Sequence, residues 1–285
     1  MIFDRGMWEK SLGFMASDNL PEWPCPTCLE GVLKLDRRSL KIRKLTRQLS
    51  DEVFESEHFE ENPLLGFLSI FAKVAIQYSE IKRWTQARFT GFLKCTNDNC
   101  QELVTFTGLA KIPIKNPQGS YPMATCEVLL PEYFSPPLPI LPLASVYPER
   151  LRCELIRSFS LFFNDSASAS NRLRTAIELL LEDQNIPNVF IGEDGQPEKN
   201  KHGKTVYRNL HTRIEELMKR NHDLGKMLLA VKVFGNEGTH GSELSKNDLL
   251  EAYRVIDYVL SELYLRPLKH REMMRSSEEL TSKYR

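Results

Sequence analysis

Apolar residues recur every third or fourth position through most of the second half of the chain. Leu151, Leu155, Phe159, Phe162 and Phe163 fall on one stripe, which predicts a helix opening at Pro148, a residue suited to the first helical position. Asp165 or Ser166 is placed to cap a second helix, whose Leu173, Ala176, Ile177, Leu180 and Leu181 face inward. Residues 185–204 are polar and read as an exposed loop. A third helix is expected at about 207–219, with Leu210, Ile214, Leu217 and Met218 inward, and a fourth at about 223–234, with Leu224, Met227, Leu228 and Val231. Ser245, with Asp248 three residues on, resembles a capping box. It opens a fifth helix carrying Leu249, Tyr253, Ile256, Leu260 and Leu263, which Pro267 ends or kinks. Five helices joined by short connections predict a bundle over 148–267, with a frayed, charged tail at 268–285.

The first half is patterned differently. Short extended runs stand at 31–35, 88–93 and 103–109, and a helical run at 64–78 carries Leu64, Leu65, Leu68, Phe71, Ala72 and Ala75. Residues 111–147 are crowded with proline, from Pro113 to Pro142. Proline fixes φ and removes backbone donors, so this stretch is expected to run over the surface as a strap, not to enter a sheet.

The chain has 285 residues, enough for roughly two domains. Its 38 basic and 38 acidic side chains cancel, so a uniformly basic nucleic-acid binder is not implied, although local patches are compatible with the balance. The start, 1–10, is mixed and charged and does not resemble a signal peptide. The longest apolar run, 64–72, is too short to span a bilayer. These features lead to the expectation of a cytoplasmic protein without a membrane partner.

Six cysteines in such a chain point to metal ligands or core thiols before disulfides. Cys25 and Cys28 form a Cys-x2-Cys pair beside prolines, and Cys95 and Cys100 form a Cys-x4-Cys pair. Both have extended flanks, which describes a zinc ribbon; the alternative is four unrelated thiols. Four thiolates would close the coordination sphere, so the Zn2+ would be structural. Cys126 and Cys153 lack a partner motif and read as core or partly buried thiols. Between the pairs lies a basic run (Arg37, Arg38, Lys41, Arg43, Lys44 and Arg47), then an acidic one, Asp51 to Glu61. The basic run reads either as a solvated face or as a contact to RNA or DNA phosphates. The insert at about 36–86 either packs on the ribbon or forms a homodimer contact.

The fold expected from the residues is α+β, mainly α: a small β zinc ribbon followed by a five-helix bundle. Its parts are a zinc-ribbon domain at 1–110 with the helical insert, the strap at 111–147, the bundle at 148–267 and the tail at 268–285. Within the bundle, the stretch Val231-Lys232-Val233-Phe234-Gly235-Asn236-Glu237-Gly238-Thr239-His240-Gly241 reads as a glycine-rich turn with three polar groups, Lys232, Asn236 and His240. It is either a site or a helix C-cap followed by a loop.

Three segments carry a resemblance: Pro131-Glu132-Tyr133-Phe134-Ser135-Pro136-Pro137, the helix from Ser166 to Glu178, and the turn Gly235-Asn236-Glu237-Gly238-Thr239-His240. In that order they resemble the domain-of-unknown-function family numbered 4145, over roughly residues 20–267. Members often carry a Cys-pair ribbon ahead of the helices. The long insert between the pairs is a departure. The family looks like a relative of the HEPN helical domains, so the resemblance implies an HEPN-like bundle and a prokaryotic defence or restriction-associated setting, including antiviral defence. Many HEPN domains are metal-independent ribonucleases using an Arg, a polar residue and a His. Asn236 and His240 match the last two, but the Arg position is Gly235, and Lys232 lies one helical turn earlier.

Two functions follow as expectations. The first is a non-enzymatic zinc-bearing module that binds nucleic acid or a protein partner of a defence or restriction system. The second is a metal-independent ribonuclease using His240, Asn236 and Lys232. No P-loop, Gly-x-Ser-x-Gly or His-Glu-x-x-His pattern is present, which disfavours NTPase, serine hydrolase and metalloprotease activities.

Overall fold

The structure is a computed structural model that describes residues 3–45, 84–113, 126–192, 194–237 and 244–284. The chain divides into two compact units. One is built on a sheet, from Lys10–Trp23 and Gly31–Ser135; the other is chiefly helical, for the most part from Pro136–Arg285 with Met1–Glu9.

The sheet unit has five strands: β1 (Met15–Ala16), β2 (Leu33–Lys44), β3 (Trp84–Cys95), β4 (Leu103–Pro113) and β5 (Val128–Ser135). They lie in the order β1-β5-β4-β3-β2, all pairs antiparallel. Alternation places Ala87, Phe89 and Leu93 of β3 on one face with Val104, Phe106 and Ala110 of β4, all buried. Phe89, Phe106, Phe134 and Trp23 continue this face as an aromatic chain, with centroids 4.9, 6.1 and 5.3 Å apart in turn. Trp23 is fully buried, and its indole N–H donates to Ser11 Oγ at 2.8 Å.

Two irregularities curl the sheet. Between Asp36 and Lys41 the register of β2 slips against β3. There the Arg38 N–H donates to Asp36 Oδ1, and Ser39 Oγ accepts from the Phe92 N–H while donating to Asp36 O. The second slip lies between Thr107 and Gly108 of β4, opposite Pro131. A Cβ at Gly108 would sit 2.1 Å from Leu130 O, so the β4–β5 approach requires glycine there.

This architecture corrects the expected one. The β part is not a small zinc ribbon but a curled five-strand antiparallel sheet, a half-barrel, with strands of 12, 12, 11 and 8 residues beside the short β1. The basic run is strand through Lys44, and Pro131 enters a sheet after all, because it stands at a bulge. The helix expected at 64–78 lies outside the described residues.

The helical unit begins with α1 (Arg5–Lys10), whose Trp8 is fully buried, packs edge-on against Phe162 and donates from its indole N–H to Ile140 O. Then follow α2 (Glu149–Leu161), α3 (Ser166–Asp183), α4 (Leu210–Arg220), α5 (His222–Glu237), α6 (Lys246–Leu260), a π-helical turn (Ser261–Leu265) and α7 (Arg266–Tyr284). Six helices, not an HEPN-like bundle of five, follow the sheet among the described residues. Pro267 does not end the run, because the π turn absorbs the backbone bond that proline cannot make to Leu263. α7 has no buried residue.

Ser158, Tyr253 and Ala169 O form a buried polar link between α2, α6 and α3. Ser158 Oγ donates to Ala169 O at 2.6 Å, so the 2.6 Å contact with Tyr253 has the phenol as donor. Among the described residues, no helix is long and apolar enough to cross a membrane.

Candidate metal centre and basic sheet face

Cys25, Cys28, Cys95 and Cys100 come together, their sulfurs all within 4.8 Å of one another. The neighbouring residues explain why. Buried Trp23 anchors the chain just before the first pair, and the Leu33 N–H donates to Trp23 O at 2.8 Å, closing the turn that holds Cys25 and Cys28. Val32 then pairs with Thr96: the Thr96 N–H donates to Val32 O at 2.9 Å and the Val32 N–H to Thr96 Oγ1 at 3.1 Å. This lays the second cysteine loop beside the first.

Each pair closes in the same way. The residue after the second cysteine, Leu29 or Gln101, has a φ of 58° or 52°. Neither is glycine, so each left-handed turn carries strain that the surroundings must hold. The Asn97 N–H points at Cys95 Sγ at 3.4 Å, a donor suited to a thiolate. Gly31 lies against the same sulfur: a Cβ there would be 2.4 Å from Cys95 Sγ. Four sulfurs around a tetrahedral ion bonded at about 2.3 Å would stand about 3.8 Å apart, so this donor set fits a metal ion. Cys25 and Cys95 are buried, which keeps the centre from open solvent.

The other two cysteines are elsewhere. Cys126 is partly buried and donates to Asp18 Oδ1 at 3.4 Å; burial first, and then Asp18, push its thiol pKa up. Cys153 is exposed on α2, against the expectation of a core or partly buried thiol.

Of the basic run, Lys41 and Arg43 stand on the other face of the sheet, in the rows of Thr90 and Arg88, whereas Lys44 stands opposite Ala87 in a row of the core face. Arg37 and Arg38 lie in the β2 bulge and are exposed, while Lys41, Arg43 and Lys44 continue the strand; Arg47 lies outside the described residues. Register gives these cations unusual neighbours. Lys34 stands opposite Lys94, and Arg43 opposite Arg88. Only Arg88 has a carboxylate partner, Glu132 at 2.6 Å; among the described residues no acid lies within ion-pair distance of Lys34, Lys41, Arg43 or Lys94. Like charges directly opposite on a sheet are destabilising, so the face carries a cost that an anion would remove. Between the two pairs lies Phe92, and on β5 Tyr133, 42% and 52% exposed.

The residues named for a ribonuclease are only partly placed. Lys232 is on α5, in a shallow recess also lined by Arg174, Asn209, Leu210 and His211. Gly235 and Asn236 are helical, one turn further along α5, so the turn does not begin at Gly235. A Cβ at Gly235 would lie 3.4 Å from Ser170 Oγ of α3. His240 lies outside the described residues.

Sequence reasoning missed Arg213. It is 2% exposed, donates from Nε and Nη2 to Ile186 O at 3.2 and 2.9 Å, and from Nη2 to Glu178 O at 2.9 Å. It thus ties α4 to the last turns of α3. Burial lowers its pKa, opposed by the nearby Glu182 and Glu178. The signal was present: Arg213 interrupts an apolar stripe of Leu210, Ile214 and Leu217.

Compared with known proteins, residues 73–134 match the family model described as Domain of unknown function (DUF8608), a stretch that includes β3, β4 and most of β5. Residues 157–283 match the model described as Domain of unknown function (DUF4145). No curated protein and no solved structure matches the chain. Of the three segments that carried the resemblance, the helix after Ser166 and the turn after Gly235 fall within the second match. From the second half of α2 to α7, therefore, the chain is similar to the DUF4145 family.

Proposed function

We propose that this chain is a zinc-stabilised module that binds nucleic acid through the outer face of its sheet and catalyses no reaction itself. The zinc would be held by Cys25, Cys28, Cys95 and Cys100, where soft thiolates select it over harder cations. With four protein ligands it leaves no position for an activated water, so its contribution is to folding. The observation that carries the nucleic-acid reading is the pair of like-charged cross-strand neighbours, Lys34 with Lys94 and Arg43 with Arg88. Phosphates are the anions that Lys and Arg side chains on an open face take up with displacement of salt. A prokaryotic defence or restriction setting, which the family resemblance implies, is where the nucleic acid and any protein partner are to be sought.

The test separates binding from folding by sign. Lys34→Glu places an acid opposite Lys94, so the variant is expected to be as stable as the parent or more stable by about 0.5 kcal/mol. Its nucleic-acid affinity is expected to fall, and the slope of log affinity against log salt to drop by one to two units, about 0.9 for each phosphate no longer neutralised. Fluorescence anisotropy over a salt series reads both; an unchanged affinity would sink the proposal.

A second reading, the metal-independent ribonuclease with His240, Asn236 and Lys232, has one supporting observation: Lys232 shares its recess with Arg174 and His211, two cations and an imidazole. Incubating the protein with labelled RNA in EDTA, beside His240→Ala, decides it: cleavage by the parent alone favours the enzyme.

A further inference from the structure

We infer that the nucleic acid this face takes is single-stranded, its bases resting on Phe92 and Tyr133; the inference rests on the nucleic-acid reading above. The face is ordered from edge to centre. On the β2 side stand Lys34, Lys41 and Arg43, and on β3 their neighbours Lys94, Thr90 and Arg88. The span from Arg88 to Lys94 is six residues, about 20 Å at the rise of a strand. Phe92 lies between those cations, opposite Asp36 on β2 and Thr105 on β4. Tyr133 lies two strands over, opposite Thr107, in the row that Thr90 and Lys41 begin. Phe92 and Tyr133 are thus about 12 Å apart on one face, and neither makes a ring contact with another aromatic side chain among the described residues.

These two exposed aromatic rings have no part in the core, which uses Phe89, Phe106 and Phe134 on the opposite face. Set beside Lys34, Lys41, Arg43 and Lys94, which have no acidic partner among the described residues, they form a surface on which charge and flat apolar rings are interleaved. A duplex offers such a surface only its phosphates, because its bases are stacked and paired. A single strand offers both, phosphates to the lysines and arginines of β2 and β3, and unstacked bases to the rings. Thr105, in the row of Phe92, and Thr107, in the row of Tyr133, lie on β4 between the two ring-bearing strands. Stacking tolerates any base, so the preference expected is for strandedness, with little for sequence.

The experiment uses the full chain loaded with zinc. Labelled oligothymidylate and oligouridylate are compared with a duplex of the same length by fluorescence anisotropy, for the parent and for Phe92→Ala, Phe92→Tyr, Tyr133→Ala and Lys34→Glu. The parent is expected to bind at least one of the single strands more tightly than duplex. Phe92→Ala and Tyr133→Ala should each weaken single-strand binding about tenfold and leave duplex binding unchanged, and Phe92→Tyr should keep it. Lys34→Glu should weaken both. Both alanine variants replace exposed side chains, and an unchanged thermal melt confirms that they fold. Equal binding of single strand and duplex, or alanine variants that bind like the parent, would overturn the inference and leave the nucleic-acid reading standing. If the parent binds neither polymer, that reading falls and this one with it.

Discussion

At Gly31 the chain has no room for even a methyl group. An added Cβ would meet Cys95 Sγ at 2.4 Å and the Asn97 backbone nitrogen at 3.0 Å, one a proposed metal ligand and the other the donor that faces it. Gly31→Ala should therefore lower metal affinity by about tenfold or more, as changes next to a ligand do, when zinc is titrated against a competing indicator; parental affinity would separate Gly31 from the centre. The cysteines themselves were legible in the sequence, since thiol pairs at such spacings have few other uses in a chain of this composition. Gly31, Leu29 and Gln101 were not, because nothing in their types announces a tight approach or a left-handed turn. Arg213 was legible in principle: a cation within an apolar helical stripe must find acceptors, and it finds the carbonyls of Glu178 and Ile186.

The elements follow their local signals where those signals are local. Asp165 caps α3, accepting from the Ser168 N–H at 2.8 Å, and this bond holds its carboxyl below the ordinary value of 3.8. A depressed folded pKa means that the cap's contribution is complete above the unfolded value and is lost as pH falls through the folded one. Asp165→Ala should cost about 1 kcal/mol near neutral pH, and the gap to the parent should shrink as pH drops below 3.8 in a series of urea melts. A gap independent of pH would mean that the carboxylate is not the cap. The strands were harder to read. β2 loses its alternation at the bulge between Asp36 and Lys41, and its charges suggested a solvated helix. β5 contains Pro131, which argued against a strand until Gly108 made space for a bulge. α7 carries in its first turn a proline, Pro267, that ordinarily stops a helix running into it, and the run continues through a π turn that no residue type advertises.

For the molecule as a whole, the helical half was legible because helix periodicity survives in the sequence over many turns. The sheet was not, since its order depends on pairings between residues far apart in the chain, β5 with β1 above all. The family matches leave the same impression, one covering much of the sheet and the other the helices from residue 157. The proposed metal joins segments about 70 residues apart, Cys25 and Cys28 with Cys95 and Cys100. Its removal should lower the melting temperature by about 10 °C, through loss of binding energy from the folded state alone. Circular dichroism melts with and without a strong chelator read this directly, and added zinc should restore the transition. Mild acid should mimic the chelator, because thiolates release metal as they protonate. A melt unmoved by chelation would show that the four sulfurs hold no stabilising ion.

β2 is also an edge. Among the described residues no strand pairs with its outer side, so a row of backbone donors and acceptors stands open there, a ready template for the strand of another copy. Lysines and arginines along such an edge repel a second copy that brings the same charges, and a bulge breaks the straight run that pairing between copies requires. The basic run therefore answers two demands at once. On the proposed reading it offers phosphates a place to sit, and its like charges oppose pairing between copies along this edge, so ligand affinity and resistance to self-association would draw on the same few side chains.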